Sequence, residues 1–271
     1  MTTTTMTLEE IKQRQQQTWS SGTYGKVAWL TVPLAEVLCE ALDLRPGATV
    51  LDVATGTGHV ALAAARRFCE VTAIDYVPTL VGEARERAAA ERLPVEFRDA
   101  DAEDLPFPDG SFDYVTSAVG VMFTADHERA ARELVRVCRP GGRIGMVNWT
   151  PTGFIGDLLS VVGRHAPPPP GAPPPVRWGS EDGLRELFGS SVSDLTCTVA
   201  TVTQRFPSPE HFADFFLTNY GPTLKAAERL PAEGRHALRD DLVALASGAN
   251  HATDGTVRGE WEYLLVLATK A

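Results

Sequence analysis

Hydrophobic positions along the chain follow two periods. Short runs rich in β-branched and aromatic residues, at 49–53, 70–75, 95–98, 112–117 and 143–149, read as strands. Between them, Val60 to Phe68, Pro78 to Arg92 and Asp126 to Cys138 repeat their apolar residues every three or four positions and read as helices. Strand and helix alternate five times, which implies a parallel sheet with right-handed crossovers. Ahead of this series, Thr7-Leu8-Glu9-Glu10 has capping-box spacing and predicts a helix to about Thr18. Trp19 to Gly25 then breaks it with glycines and aromatics, either as a surface turn or as a lid over a ligand. Pro33 suits the first turn of a helix to Leu42, with Leu34, Val37, Leu38, Ala41 and Leu42 expected on its apolar face.

Beyond Trp149 the pattern changes. The proline run from Ala166 to Pro175 has few backbone donors and predicts a polyproline-like surface loop. Ser180 is placed to cap a short helix bearing Leu184, Leu187 and Phe188, and Asp194 to Phe206 alternates like a strand. Ser208-Pro209-Glu210 opens a helix with Phe212, Phe215, Phe216 and Tyr220 along one side. Ala232 to Ala246 reads as a helix and Gly259 to Thr269 as a last strand.

Composition narrows the classes. A chain of 271 residues, 44% hydrophobic, can bury a full core as one enlarged domain or two. Its formal charge is −10 and it has no Lys/Arg-rich run, which argues against nucleic acid as a partner. Cys39, Cys69, Cys138 and Cys197 lie far apart, without zinc or disulfide spacing, and read as reduced core thiols; no metal is expected. Met1 to Met6 lacks the blocks of a signal peptide and no run is long enough to span a membrane, so a cytoplasmic location is expected.

The chemistry concentrates at the end of the first strand, Leu51-Asp52-Val53-Ala54-Thr55-Gly56-Thr57-Gly58-His59-Val60-Ala61. A buried strand ending in a glycine loop and then a helix delivers backbone N–H groups to a ligand at the carboxyl edge of a sheet. Gly56 to Ala61 also satisfies the dinucleotide pattern G-x-G-x-x-A, with Asp75 following about 20 residues on. Three features oppose NAD. Asp52 before the loop disfavours a pyrophosphate and favours an ammonium group. The acidic stretch Asp99 to Asp104 after the third strand repels phosphates and suits an exocyclic amine. The late strands form no second nucleotide-binding half.

Leu51 to Gly58, Ile74-Asp75, Asp101 to Asp113 and Leu134 to Gly142 resemble the successive motifs of class I S-adenosylmethionine-dependent methyltransferases. The similarity is greatest to the ubiquinone/menaquinone-biosynthesis C-methyltransferase branch and covers about residues 45 to 150. Ala54 stands where that family more often has a glycine, and Thr55 where cysteine is frequent. The resemblance implies a Rossmann-like, doubly wound α/β fold: a seven-stranded sheet, mostly parallel with one antiparallel strand. Residues 1–44 would form an N-terminal lid, 45–150 the cofactor-binding core, and 151–271 the rest of the sheet with substrate-cap insertions, in one compact domain.

It also implies residue roles for the cofactor S-adenosylmethionine. Asp75 would take both ribose hydroxyls, Tyr76 or Val77 would pack on the adenine, and Asp101 and the Ala102 N–H would meet the adenine's amine and a ring nitrogen. Asp52, Ala54 and Ser117 would hold the methionine ammonium beside Gly56 and Gly58, and Tyr24 would close from the lid. The methyl acceptor, expected to be a small aromatic or amphipathic molecule, would meet Tyr24, Asn148, Trp149, Phe216 and Tyr220. Transfer to carbon is favoured over oxygen or nitrogen, no catalytic base is named, and a homodimer is left open. The alternatives are an NAD-dependent oxidoreductase and a non-catalytic S-adenosylmethionine-binding regulator. His165, His211 and His251 read as surface or capping residues, and His59 as lining the first helical turn after the loop.

Overall fold

The computed structural model describes residues 6–271. Met1 to Thr5, most of the N-terminal run read above for a leader, lies outside the described residues. In chain order the elements are α1 (Leu8–Trp19), α2 (Tyr24–Ala28), α3 (Val32–Leu42), β1 (Thr49–Val53), α4 (His59–Arg66), β2 (Glu70–Asp75), α5 (Pro78–Glu91) and β3 (Val95–Asp99). There follow β4 (Phe112–Ala118), α6 (His127–Val137), β5 (Cys138–Trp149), α7 (Phe154–His165), α8 (Glu181–Phe188) and β6 (Val192–Phe206). The chain closes with α9 (Pro209–Asn219), α10 (Gly221–Glu228), α11 (Ala232–Gly248) and β7 (Val257–Lys270).

One seven-stranded sheet has the order β3-β2-β1-β4-β5-β7-β6. β1 pairs in parallel with β2 and β4, β2 with β3, and β4 with β5, while β7 runs antiparallel to β5. This is the doubly wound, mostly parallel architecture expected from the sequence. The chain steps outward from β1 to β3 and then returns to β4 on the other side of β1. Right-handed crossovers therefore put α4 and α5 on one face and α6 on the other, and leave a crevice between the carboxyl ends of β1 and β4.

Two compact units are distinguished along the chain: Thr31–Trp149 with Pro173–Ala200 and Tyr263–Ala271, and the remaining stretches up to Leu30, Thr150–Ala172 and Thr201–Glu262. In the first, β1 is buried from Val50 to Val53, and every residue of α4 from Val60 to Ala65 is buried. Its alanines let the helix axis lie close to the sheet. The α6 helix opens on Asp126, whose carboxylate accepts from the Arg129 N–H at 2.9 Å, a cap that stabilises by about 1 kcal/mol.

Two sequence expectations are corrected in this unit. The buried stripe of α3 is Leu34, Ala35, Leu38, Cys39 and Leu42, and Val37 is 40% exposed. Residues at i, i+1 and i+4 form that stripe, and Val37 falls on its far side. The fifth strand, expected from residue 143, is bounded from Cys138, and Arg139 to Gly142 bulge between the Phe112–Cys138 and Tyr114–Arg143 pairs.

In the second unit, α1 carries the expected capping box: the Thr7 hydroxyl accepts from Glu10 N–H at 3.2 Å and the Glu10 carboxylate accepts from Thr7 N–H at 2.8 Å. The aromatic face of α9 packs into a core with Phe154, Phe206 and Trp261. Phe212 and Phe216 are 4.7 Å apart by ring centroid, and Phe154 stacks on Trp261 at 5.1 Å. Cys39, Cys69 and Cys138 are buried free thiols, and Cys197 is half-exposed on β6 rather than in the core. Among the described residues no helix is long and apolar enough to cross a membrane.

Candidate active site

The first unit assembles the glycine loop at the crevice. β1 leaves the sheet at Ala54, whose φ of 54° is left-handed, a conformation that costs an L-residue roughly 1–2 kcal/mol. Gly56 and Gly58 continue with φ of 55° and 85°. Opposite, beyond the end of β4, Val119 is also left-handed at 54°, a position rare for a β-branched residue. Gly120 explains the closeness of the two segments. A Cβ on it would lie 2.8 Å from Ala54 Cβ, Ala54 O and Ser117 Oγ, so no larger residue fits. Backbone strain thus gathers where the two halves of the sheet meet, and strain held in this way is characteristic of ligand sites.

Two buried carboxylates flank the loop. Asp52, 1% exposed, accepts from the Thr55 hydroxyl at 2.5 Å and from the Thr116 hydroxyl at 2.9 Å, one on each oxygen. Burial raises its pKa to about 6, opposed by those hydroxyls. Asp75, 5% exposed at the end of β2, accepts from Gly56 N–H at 2.8 Å and Val77 N–H at 3.0 Å, again one on each oxygen. Burial raises this pKa to about 6 as well, opposed by backbone donors. A carboxylate oxygen has about two lone-pair directions, so each acid keeps acceptor capacity for hydroxyls or an ammonium group.

Beyond β3, Asp101 makes a tight turn in which its carboxylate accepts from Glu103 N–H at 2.9 Å. Ala102 is buried beside it. Burial, aided by the nearby charges of Asp75, Asp101 and Glu103, pushes the Tyr76 phenol upward. Ser117 is fully buried, its hydroxyl donating to Val53 O at 2.8 Å and accepting from Val121 N–H at 3.1 Å. Asp52, Ala54, Gly56, Gly58, Asp75, Tyr76, Asp101, Ala102 and Ser117 all belong to this unit, at the carboxyl edge of its sheet.

Three functional groups escaped the sequence reading. Arg87 of α5 donates through Nη1 to the Thr57 carbonyl at 2.5 Å and to His59 Nδ1 at 2.9 Å, so the glycine loop is clamped from the next helix. Glu103, 2% exposed, accepts from Ala125 N–H at 2.7 Å and Asp126 N–H at 2.9 Å, so part of the acidic stretch braces the approach to α6. Thr116 anchors Asp52. No local spacing signals any of these pairings, since the partners lie 22 to 64 residues apart.

The acceptor-side expectations divide between the units. Asn148 and Trp149 end β5 in the first, both buried, and neither polar atom of the Asn148 amide has a hydrogen-bond partner. In the second unit Tyr24 and Tyr220 pack on Trp19, and Phe216 packs on Tyr220. Trp19 meets Tyr24 at 5.4 Å and Tyr220 at 5.8 Å, and Phe216 meets Tyr220 at 5.6 Å. Of the other histidines, His165 pairs with Asp241 at 2.8 Å, His211 stacks on Phe215, and His251 is exposed. Among the described residues no group of three His, Cys, Asp or Glu side chains is placed to hold a metal.

Comparison with known proteins bears on the family and the fold. Residues 51–146 match a family described as a methyltransferase domain. Over 258 residues the chain is 41% identical to Rv1403c, an uncharacterized protein of Mycobacterium tuberculosis, covering 94% of this chain and 93% of that one. It is 47% identical over 113 residues to the demethylmenaquinone methyltransferase of Thermus thermophilus, covering 41% of this chain and 51% of that enzyme. The YcgJ protein of Bacillus subtilis shares the fold, with a TM-score of 0.60 at 20% identity over 87% of this chain and 97% of that one. The chain belongs to the family of Rv1403c, and its methyltransferase domain makes it a class I S-adenosylmethionine-dependent methyltransferase.

Proposed function

We propose that this methyltransferase acts on a small aromatic or amphipathic molecule, with transfer to carbon favoured. The observation that carries the reading is the stretch 47% identical to an enzyme named for methylating demethylmenaquinone, which has a quinone ring. The acidic balance and the absence of a Lys/Arg-rich run agree with a small-molecule acceptor rather than a nucleic acid. The methyltransferase match displaces the oxidoreductase alternative.

The fit to S-adenosylmethionine rests on the two buried acids. Each has both oxygens already oriented by protein donors and capacity left over, which suits a ligand carrying hydroxyls and an ammonium group but no phosphate. In this reading Asp75 accepts from the ribose hydroxyls, Tyr76 packs on the adenine, and Asp101 and the Ala102 N–H meet its amine and a ring nitrogen. Asp52 and the backbone at Ala54 and Ser117 hold the ammonium, and the loop at Gly56 and Gly58 gives the ligand room. Tyr24, Phe216 and Tyr220 keep, as proposals, the ligand contacts that the family resemblance implies.

When bound, S-adenosylmethionine supplies an electrophilic methyl group on a sulfonium with a neutral leaving group. The protein's part is alignment and exclusion of water, and transfer to an electron-rich carbon needs no strong base. The test incubates the protein and S-adenosylmethionine with a panel of quinols, phenols, amines and carboxylic acids. S-adenosylhomocysteine is quantified by mass spectrometry, and product NMR identifies the methylated atom. Turnover of quinols or phenols to C-methyl products is expected. Tight S-adenosylhomocysteine binding with no turnover of any acceptor would instead favour the non-catalytic regulator.

A further inference from the structure

Three fully buried side chains of the first unit have polar atoms without hydrogen-bond partners: His127, Asn148 and Trp178. Native interiors satisfy nearly all such groups, so each requires an explanation. Their placement supplies one. Residues of β5 alternate between the faces of the sheet. A Cβ on Gly145 would lie 2.6 Å from Leu42 of α3, and α3 packs against α4, so Gly145 faces the α4 side. Asn148, three positions on, faces the opposite layer, that of α6.

His127 is the first residue of α6 and therefore sits where the chain enters that helix from the carboxyl end of β4. Trp178, in the turn Pro175–Gly179, packs edge-on against His127 with ring centroids 5.8 Å apart, and this turn also packs on β5. All three residues thus belong to the α6 layer. Asn148 and His127 lie at the same edge of the sheet as the glycine loop.

The chemistry of the trio is neutral. Asn148 presents a donor beside an acceptor, and Trp178 adds one donor. Burial, with Arg177 nearby, lowers the His127 pKa to about 4, so the imidazole is neutral near pH 7. Arg177 itself is engaged by Glu128 at 2.6 Å and Glu186 at 3.4 Å. An anion here would be buried without a cation of its own, and a wholly apolar group would leave the amide unpaired.

We propose that Asn148, Trp178 and His127 form the subsite for the polar end of the methyl acceptor, and that this end is neutral, with a hydrogen-bond donor next to a carbonyl oxygen. This rests on the small-molecule reading above. The donor of the acceptor molecule meets Asn148 Oδ1, its carbonyl meets Asn148 Nδ2, and Trp178 Nε1 donates to the remaining lone pair. Asn148 and Trp178 are specificity residues in this account, not catalytic ones.

The test uses the full chain with saturating S-adenosylhomocysteine and four ring probes: oxindole, N-methyloxindole, indane and benzoate. Oxindole has a lactam N–H beside its carbonyl; N-methyloxindole lacks the donor. Oxindole is expected to bind at least tenfold more tightly than the other three. It should also shift the indole N–H resonance assigned to Trp178 by its loss in W178F. N148L should lose at least tenfold in oxindole affinity while keeping its S-adenosylhomocysteine affinity by calorimetry. Equal binding of oxindole and indane by the native chain overturns the proposal without recourse to any variant. So does unchanged oxindole binding in N148L, or an unmoved Trp178 resonance. Failure of the native chain to bind S-adenosylhomocysteine overturns the parent reading and this inference with it. Retained cofactor binding without discrimination overturns this inference alone.

Discussion

The backbone N–H of Gly56 donates to the carboxylate of Asp75 at 2.8 Å, tying the glycine loop to the end of the neighbouring strand. The acid expected to hold the ribose is thus also part of the loop's scaffold. Substitution of Asp75 therefore acts twice. Asp75→Ala removes acceptors from the Gly56 and Val77 N–H groups as well as any ligand contact. A hydrogen bond to a charged group contributes about 1.5–3 kcal/mol, so S-adenosylhomocysteine affinity should fall at least roughly tenfold and stability should fall as well. Calorimetry with S-adenosylhomocysteine checks the first and urea denaturation the second. Unchanged affinity would remove Asp75 from the site.

The two raised carboxylates predict a pH dependence with a definite sign. Asp52 and Asp75 have folded-state pKa values of about 6, above the ordinary 3.8. Their contribution to stability is fully present below pH 3.8 and is lost as pH rises through about 6, because the unfolded chain ionises first. The loss is on the order of 3 kcal/mol per group. Other carboxylates run the opposite way, so the measurement is a difference. The stability of Asp52→Asn relative to the native chain should rise between pH 4 and pH 6 and then level off. A difference that stays constant across this range would show that Asp52 is not shifted.

Arg87 should matter to ligand binding through the glycine loop it holds. Arg87→Met removes the donors to the Thr57 carbonyl and to His59. Loosening the loop should weaken S-adenosylhomocysteine binding by about tenfold, the equivalent of one charge-assisted bond of about 1.5 kcal/mol, with little change in secondary structure. Faster hydrogen exchange confined to the loop and the start of α4 would accompany it. Exchange and affinity equal to those of the native chain would contradict the clamp.

In the second unit, Gly221 is the contact point between α10 and the end of α1. A Cβ there would fall 2.1 Å from the Thr18 carbonyl oxygen, with backbone and not a flexible side chain in the way. Gly221→Ala should therefore push α1 aside and cost about 1–3 kcal/mol, as overpacking commonly does. Loss of exchange protection in α1 and a red-shifted Trp19 fluorescence emission are the expected signs. A variant as stable as the native chain would mean that α1 yields without resistance.

The parts legible in the sequence were those encoded within contiguous stretches. Helix and strand periods, the Thr7 and Ser180 caps, the glycine loop and the acid ending β2 all depend on residues a few positions apart. The long chain order of motifs then implied the methyltransferase fold and its cofactor, both of which hold. Val37 was misplaced because several apolar residues on one short helix allow two candidate stripes, and only the packing of α3 selects between them. The strand was read only from residue 143 because proline and glycine usually end elements, whereas Cys138 already pairs with Phe112 of β4 and Arg139 to Gly142 bulge before pairing resumes at Arg143.

The site divides in the same way. From the sequence, Asp52 and Asp75 were identified as acids at strand ends, but not the donors that hold them. Thr116 reaches Asp52 from 64 residues away, and Arg87 reaches Thr57 from 30. The unpaired amide of Asn148 was likewise invisible, because a lack of partners is a property of everything packed around a residue. The amino-acid order determined the elements, the cofactor and the reaction through short-range periodicity and local strand-end chemistry. Only the tertiary structure decided which polar groups satisfy one another and which are left for a ligand, because buried hydrogen bonds are apportioned by packing between distant segments.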